Sequence, residues 1–576
     1  MSSKQDQKHP KFGNLPLSTS GPQDCALTGS ALLNTPYLNK GTAFTKEERD
    51  EFKLHGLLPQ NVQKLEEQVK RAYDQFSSRP NDLAKNTFMT SMKEQNEVLY
   101  YRLIQDHLKE MFSIIYTPTE GDAIANYSRL FRRPEGCFLN IDDVDRIPDD
   151  LDQFGPSDEV DLIVVSDGEQ VVAPNFMNEE LLNDDLYLGL RKHRVRGEKY
   201  DAFVDKFITA ARKRYPRAYI HFEDFGLPNA RRILDSYTPK IACFNDDVQG
   251  TGCVTLAAIM SAMKIADIKY QDLRVVMFGA GTAGTGIADQ IKDAIAVSTE
   301  KSKEEAGAQI WCVDKPGLLL KSKKNDLTPA QVTYAREDSE WEGKGHNDLL
   351  SVVKEVKPHV LIGTSTKPGS FTKEVVEEMA KHVERPIIFP LSNPTRLHEA
   401  KPKDLFEWTK GKCLVATGSP FEPVEYESKK YEIAECNNST TFPGIGLGAV
   451  LSRTRLMTPS LLVAATESLA SQAPALKDEN KGTPREVALL PDVTDVREIS
   501  VHIAKAVIQK AVEEGLNQEN GIPSDEADLE EWIREQMWDP VYRPLRRVKP
   551  EKASRHARGE SGSASVRRQG SFSYHA

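Results

Sequence analysis

The segment Leu273-Arg274-Val275-Val276-Met277-Phe278-Gly279-Ala280-Gly281-Thr282-Ala283-Gly284 decides how this chain folds. Its first half is mostly apolar and β-prone, so a buried strand is expected over Leu273–Phe278. The G-x-G-x-x-G set Gly279, Gly281 and Gly284 then opens a helical pattern running from Thr285 to about Val297. Gly279 permits the tight turn, Gly281 lets the backbone approach a pyrophosphate, and Gly284 lets helix pack on strand. The helix N-terminus adds unpaired N–H groups and positive potential for the phosphates. Alone, such a motif is a weak signal. Here a second strand is expected at Gln309–Val313, ending in the acidic Asp314, which completes a dinucleotide-binding βαβ unit. Asp314 lies 30 residues past Gly284, a long spacing that the polar segment Ser298–Gly307 explains as an insertion after the helix.

Downstream the alternation continues with Val360–Gly363, a helix at Lys373–Lys381, and strands at Ile387–Leu391 and Cys413–Thr417. Leu391-Ser392-Asn393-Pro394-Thr395 places Asn393 at a strand's carboxyl end, where open α/β sheets bind ligands. Asn437 and Asn438 precede Phe442-Pro443-Gly444; amides there are turn formers unless a carboxylate ligand needs neutral donors. Helices are expected at Leu461–Ala473 and Val496–Gly515.

Upstream, Tyr219-Ile220-His221-Phe222-Glu223-Asp224 and Lys240-Ile241-Ala242-Cys243-Phe244-Asn245-Asp246-Asp247 are two strand-type runs. A helix-length segment, Asn229–Ser236, separates them. In a βαβ unit the strands are parallel, so both acidic tips emerge at one edge. Clustered carboxylates are tolerated by a shared proton or a bound cation, and a divalent-metal site is expected. Gly250–Ala266 suits a buried helix.

The first part of the chain is helical: Thr45 and Glu48 form a capping-box pattern, with helices at Val62–Phe76 and Asp82–Lys109. Tyr116 lies in a Pro-containing break. Val160–Val165 reads as a parallel strand ending in Ser-Asp-Gly-Glu, yet no crossover helix follows it. A helix start at Asn178–Leu190 leads into a basic helical stretch, Arg191–Arg217, whose charges are read as a solvated face.

The 576 residues carry a net charge of −11, and nothing outside a basic tail suggests a nucleic-acid partner, so none is expected. Seven cysteines without a Cys-x-x-Cys pair favour a reducing compartment. No apolar run suggests a membrane span, and the opening lacks a hydrophobic signal core. A cytoplasmic location is expected, with a mitochondrial one as second choice. The domains are drawn as a disordered N-terminus (1–40), a metal-bearing domain (41–245), a dinucleotide-binding domain with C-terminal helices (246–545) and a disordered basic tail (546–576). The fold class is α/β: a Rossmann-type domain plus an α/β substrate/metal domain with an N-terminal helical segment.

Together, Tyr116–Gly121, Phe222–Phe225, Phe244–Thr251, Gly279–Gly284, Leu391–Thr395 and Phe442–Gly444 stand in the order found in the malic enzyme family. So do Leu33–Gly41 and His55–Pro59. The chain resembles that family, with a fungal look, from about residue 30 to 545. The resemblance implies oxidative decarboxylation of L-malate to pyruvate and CO2 with NAD, or NADP as second choice, and Mg2+ or Mn2+. It assigns Glu223, Asp224 and Asp247 as metal ligands, with Asp246 a neighbour, and Tyr116 as general acid. Asn393 and Asn438, with Asn437 adjacent, match substrate-carboxylate contacts. Asp314 would hold the adenine ribose. Gln331 stands where NADP-preferring members tend to carry Lys, which favours NAD. A homotetramer is implied.

One departure stands against these matches. The family's strand matching Val160–Val165 is followed by a substrate-binding arginine, a Gly-rich turn, a helix carrying the general-base lysine, and another strand. Here Gln170 occupies the arginine position and the rest is missing, so no lysine matches the base; Lys192 and Lys199 belong to the later basic stretch. Losing a central strand and helix would bare apolar faces at a cost expected to exceed the roughly 5–15 kcal/mol by which domains are stable. The internal deletion after Gln170 is read as a mis-spliced or mis-predicted gene product. Two alternatives remain: an inactive homologue that binds nucleotide or assembles with intact subunits, and a malolactic-type enzyme.

Overall fold

The computed structural model describes residues 9–13, 15, 17–169, 179–477, 480 and 486–559. The junction at Gln170, the first residues of the N-terminal segment and most of the basic tail lie outside them. Contacts divide the chain into two units, Met1–Ala218 with Gly521–Ala576, and Tyr219–Asn520.

The first unit is mainly helical. The capping box at Thr45 is formed, with the Glu48 N–H donating to Thr45 Oγ1 at 3.2 Å and the Thr45 N–H to Glu48 Oε2 at 3.3 Å. The helix expected as one piece over Asp82–Lys109 is instead three, Asp82–Lys93, Glu97–Asp106 and Leu108–Ile115. Asn96 explains the first break: its side chain accepts from the Leu99 N–H at 2.9 Å, starting a new helix rather than continuing the old one. These short helices close on Phe76, Met89, Leu103 and Met111. Gln23–Cys25 pairs in parallel with Leu545–Arg547, so the unit is closed by segments from both ends of the sequence.

Two stretches of this unit differ from expectation. Leu162–Val165 forms a strand, but Val164 is 38% exposed and its three neighbours are only half-buried. The helix start expected after Phe176 is only a short helix, Glu179–Leu182, followed by exposed Leu186, Leu188 and Leu190. The basic stretch forms the helix Glu198–Arg214, burying Phe207, Ile208 and Ala211 as the spacing required. Its preceding arginines are not merely solvated. Arg194 donates to the carbonyls of Asp167 and Gly168, at 2.8 and 2.9 Å, and Arg196 to Glu169 at 2.9 Å.

The second unit is built on parallel strands. Strand β1 (Tyr219–Phe222), helix α1 (Leu227–Tyr237) and strand β2 (Cys243–Asn245) form the expected βαβ unit, with Phe222 beside Asn245 in parallel register. After helix α2 (Thr251–Ala266) comes a seven-stranded sheet. Its strands are β3 (Val275–Phe278), β4 (Ile310–Asp314), β5 (Gly317–Leu318), β6 (Val360–Gly363), β7 (Ile387–Pro390), β8 (Leu414–Thr417) and β9 (Ala434–Glu435). The spatial order is β9-β8-β7-β6-β3-β4-β5, parallel except for the β4–β5 pair. The chain leaves β3 for β4 on one side and returns to β6 on the other, so a topological switch point lies between β3 and β6.

Four of these parallel strands (β6 to β9) and β1 with β2 are almost wholly buried, as sheets covered on both faces require. Helix α2 is apolar around its whole circumference. With the turn before it, Asp246–Ala266 is long and apolar enough to cross a membrane, contrary to the expectation from sequence, but 78% of that window is buried. A helix apolar all round belongs in a core, and this one is.

At the opposite edge, the Arg274 N–H donates to His359 Nδ1 at 3.1 Å, and burial together with the Arg274 guanidinium pushes the imidazole pKa down to about 4. An unfolded His titrates near 6.5. Between those values the unfolded chain binds the extra proton, so stability contributed by neutral His359 is present above pH 6.5 and lost as pH falls towards 4. The group is half-exposed, so the expected loss is about 1–2 kcal/mol rather than the full shift. Denaturant melts from pH 7 to 4 on the chain and on His359→Gln check this: the variant should lose less stability over that window.

Candidate active site

Strand β1 ends in Glu223 and Asp224, and strand β2 ends in Asp246 and Asp247. Because β1 and β2 are parallel and adjacent, both acidic pairs leave from the same edge. Carboxylate oxygens of Glu223, Asp224 and Asp247 lie within 4.8 Å of one another. Glu223 is buried, and the other two are half-buried. At an effective dielectric near 20, two ionised carboxylates at that separation repel by about 3–4 kcal/mol. A hard cation with oxygen ligands relieves this, and the donor set suits one.

Local backbone aims these groups. Asp224 adopts φ of +51°, a left-handed conformation that Asp tolerates better than most residues. Asp246–Gly250 is a π-helical turn, fixed by Asn245, whose Oδ1 accepts from the Val248 N–H at 2.9 Å. That widened turn sends Asp246 inward, while Asp247 joins Asp224. Asp246 is 2% exposed and forms a second cluster with His221 and Glu223. His221 Nε2 is 2.9 Å from Glu223 Oε2. Burial, reinforced by Glu223, pushes the Asp246 carboxyl up to about 8, while burial lowers the His221 pKa. His221 was missed from sequence, although it stands two residues before Glu223 on a strand and so shares its face.

Of the three amides, Asn438 reaches the acidic cluster. Its Nδ2 donates to Asp246 Oδ2 at 2.8 Å and to Thr251 Oγ1 at 3.1 Å. Asn437 is a turn former: its Oδ1 accepts from the Ser439 N–H at 3.0 Å, and its Nδ2 donates to Glu435 Oε1 at 3.0 Å. Asn393, exposed at the carboxyl end of β7, accepts from the Ser419 hydroxyl. Tyr116 caps a helix in the first unit, half-buried and 5.1 Å from the Phe112 ring.

The glycine-rich turn sits between β3 and helix α3 (Thr282–Thr299), which begins earlier than Thr285. Gly279 has φ of +99°, and a Cβ there would lie 2.6 Å from the Ser365 backbone nitrogen after β6. A Cβ on Gly284 would overlap the Gly279 carbonyl oxygen and come within 2.8 Å of Thr364 Oγ1. Gly284→Ala must therefore push α3 off the turn. The expected outcome is about 1–3 kcal/mol of lost stability, read by denaturant melt, with weaker NADH binding. Asp314, ending β4, accepts from the Ala280 N–H at 2.8 Å and from Gln331 Nε2 at 3.3 Å. The turn, the acid and Gln331 thus form one site.

The comparisons with known proteins agree with this layout. The family model for the malic enzyme NAD-binding domain matches residues 248–512, and that for the malic enzyme N-terminal domain matches in two pieces, 93–173 and 171–238. The chain is 45% identical to the mitochondrial NAD-dependent malic enzyme of Saccharomyces cerevisiae, covering 92% of this chain and 85% of that one. It is 43% identical to the NAD-dependent malic enzyme of Schizosaccharomyces pombe (92% and 100%) and 42% identical to NAD-dependent malic enzyme 3 of Bacillus subtilis (92% and 99%). Among solved structures, the Entamoeba histolytica malic enzyme covers 84% of this chain and 92% of its own at 22% identity and a TM-score of 0.48. With a dinucleotide-type turn, two family models and relatives above 40% identity over most of its length, this chain belongs to the malic enzyme family.

Proposed function

We propose that this chain carries the site for cation-assisted oxidative decarboxylation of L-malate to pyruvate and CO2, with NAD+ taking the hydride. The observation that carries the reading is the Glu223, Asp224 and Asp247 trio in one unit with the Gly279–Gly284 turn. Those three carboxylates hold and orient Mg2+ or Mn2+. When bound there, the cation supplies Lewis-acid polarisation of the malate hydroxyl and carboxylate, and a sink for the electron pair released with CO2. Asn393 donates to a substrate carboxylate; Asn438 does so by exchanging its bond to Asp246, and Asn437 keeps that loop in shape. Asp314 accepts from the adenine ribose hydroxyls, and the Gly279–Gly284 turn offers backbone N–H groups to the pyrophosphate. Gln331 hydrogen-bonds Asp314 where a lysine would attract a 2′-phosphate, which favours NAD over NADP. Tyr116 returns a proton to the enolate carbon. The functional domains run over 41–245 and 246–545, and the chain works as a homotetramer subunit.

A second reading, an inactive chain that keeps its nucleotide site, is favoured by three specific observations. The yeast relative aligns over 581 positions that use 92% of the 576 residues, so about fifty aligned positions have no residue here. The N-terminal family model breaks at 171–173. The strand before that break shows an exposed Val164, as lost cover would leave it. The general-base lysine belongs to the absent segment, and we attribute its loss to splicing or gene prediction. Reads across the codons for Gln170-Val171 decide the origin: transcripts carrying this junction uninterrupted would refute it. The site itself is tested without turnover, by Mn2+ titration with EPR detection and NADH fluorescence on the full chain. Absence of both would sink the reading.

A further inference from the structure

Glu399 is fully buried, yet it is neither in the acidic trio nor in the glycine-rich turn. Its Oε1 accepts from the Ser365 N–H at 2.9 Å and the Ser365 hydroxyl at 2.8 Å, and also from the Ser392 hydroxyl. Ser392 Oγ in turn accepts from the Thr366 N–H at 2.8 Å, and Ser365 Oγ from the Lys367 N–H at 3.1 Å. One carboxylate therefore joins the loop after β6 to the loop after β7. The space it fills is reserved for it, since a Cβ on Gly363 would lie 2.5 Å from the Glu399 carboxyl carbon.

Those loops flank the places where ligands are expected. Thr364–Thr366 lies at the switch point, where Thr364 Oγ1 donates to the Gly279 carbonyl at 2.8 Å and Ser365 packs against Gly279 itself. Thr366 holds φ of +54°, a strained conformation for a β-branched residue that needs outside support. Ser392 immediately precedes Asn393. A buried carboxylate accepting several hydrogen bonds is a rigid anchor, because breaking any of them leaves a charge poorly solvated.

We propose that Glu399 is a positioning residue for the dinucleotide, fixing the loop after β6 against the Gly279 turn so that the nicotinamide half of the cofactor meets a preformed crevice. This rests on the nucleotide reading above. It concerns NAD affinity and leaves the acidic trio untouched.

The test uses the full chain with Glu399→Ala, Glu399→Gln and Ser365→Ala, NADH fluorescence titration, and Mn2+ binding by EPR. Glu399→Ala should weaken NADH binding on the order of tenfold, the loss expected when a group supporting a site is removed. Glu399→Gln, which keeps one acceptor oxygen, should fall between it and the parent. Mn2+ affinity should stay within about twofold, as for an independent site. NADH affinity unchanged in Glu399→Ala, or NADH and Mn2+ affinity falling together, overturns the inference. If Glu399→Ala does not fold, unchanged NADH affinity in both Glu399→Gln and Ser365→Ala overturns it instead. A parent chain that binds no NADH overturns the nucleotide reading, and this inference with it.

Discussion

Supplied with L-malate, NAD+ and Mn2+, the chain as written is expected to form NADH about 10²- to 10⁴-fold more slowly than a relative that keeps the missing segment, the usual contribution of one general acid–base group. The malate hydroxyl must lose a proton as its C2 hydride leaves. On the second reading proposed above, the group that takes that proton belongs to a segment lost at Gln170-Val171. Lys192 and Lys199 are engaged elsewhere, both pairing with the Asp142 carboxylate, at 2.5 and 3.1 Å. A chimera carrying the corresponding segment of the yeast relative between Gln170 and Val171 should recover activity to within about tenfold of that relative. It should also melt higher, because the segment would cover apolar side chains such as Val164 and Leu188, which is 70% exposed. Burying each such side chain is worth about 1.5–3 kcal/mol. Measuring kcat and thermal midpoint for both proteins settles the matter; a kcat for the chain as written equal to the relative's would remove the need for the absent lysine.

Asp247→Asn is the second large effect. Replacing one of three charged oxygen ligands by a neutral amide should weaken Mn2+ binding on the order of a hundredfold, since affinity for hard cations follows ligand charge. NADH binding should be nearly unchanged, because the Gly279–Gly284 turn and Asp314 form a separate site in the same unit. EPR titration of free Mn2+ and NADH fluorescence on the same sample separate the two. Mn2+ affinity surviving intact would mean that the acidic trio is only a charged edge. Equal loss of both ligands would mean that the substitution had damaged the unit as a whole.

Much of this was legible before any coordinates. The strand–glycine turn–helix pattern around Gly279 and the two acid-tipped strands around Glu223 and Asp247 are local signals, each complete within about thirty residues, and backbone physics gives them little freedom. A parallel βαβ unit must bring both strand tips to one edge, so the order of residues alone could place Glu223, Asp224, Asp246 and Asp247 together, and the family resemblance narrowed them to the trio. The capping box at Thr45 was readable for the same reason, being a contact across three residues.

What the sequence could not decide depends on partners far away in the chain. The break at Asn96 pits a side-chain cap against helix continuation, and local propensity does not say which wins. The inward turn of Asp246 follows from a π-helical turn and from His221 and Asn438, the latter 192 residues away. Glu399 is unremarkable in its own stretch; only the return of the chain from β4 across to β6 and β7 sets it under Ser365 and Ser392. The sequence by itself determined which family this chain joins and which strand tips bring their acids together, because those rest on local pattern and order. Tertiary structure alone decided which polar groups are buried together, because burial is a property of packing between segments and not of any one of them.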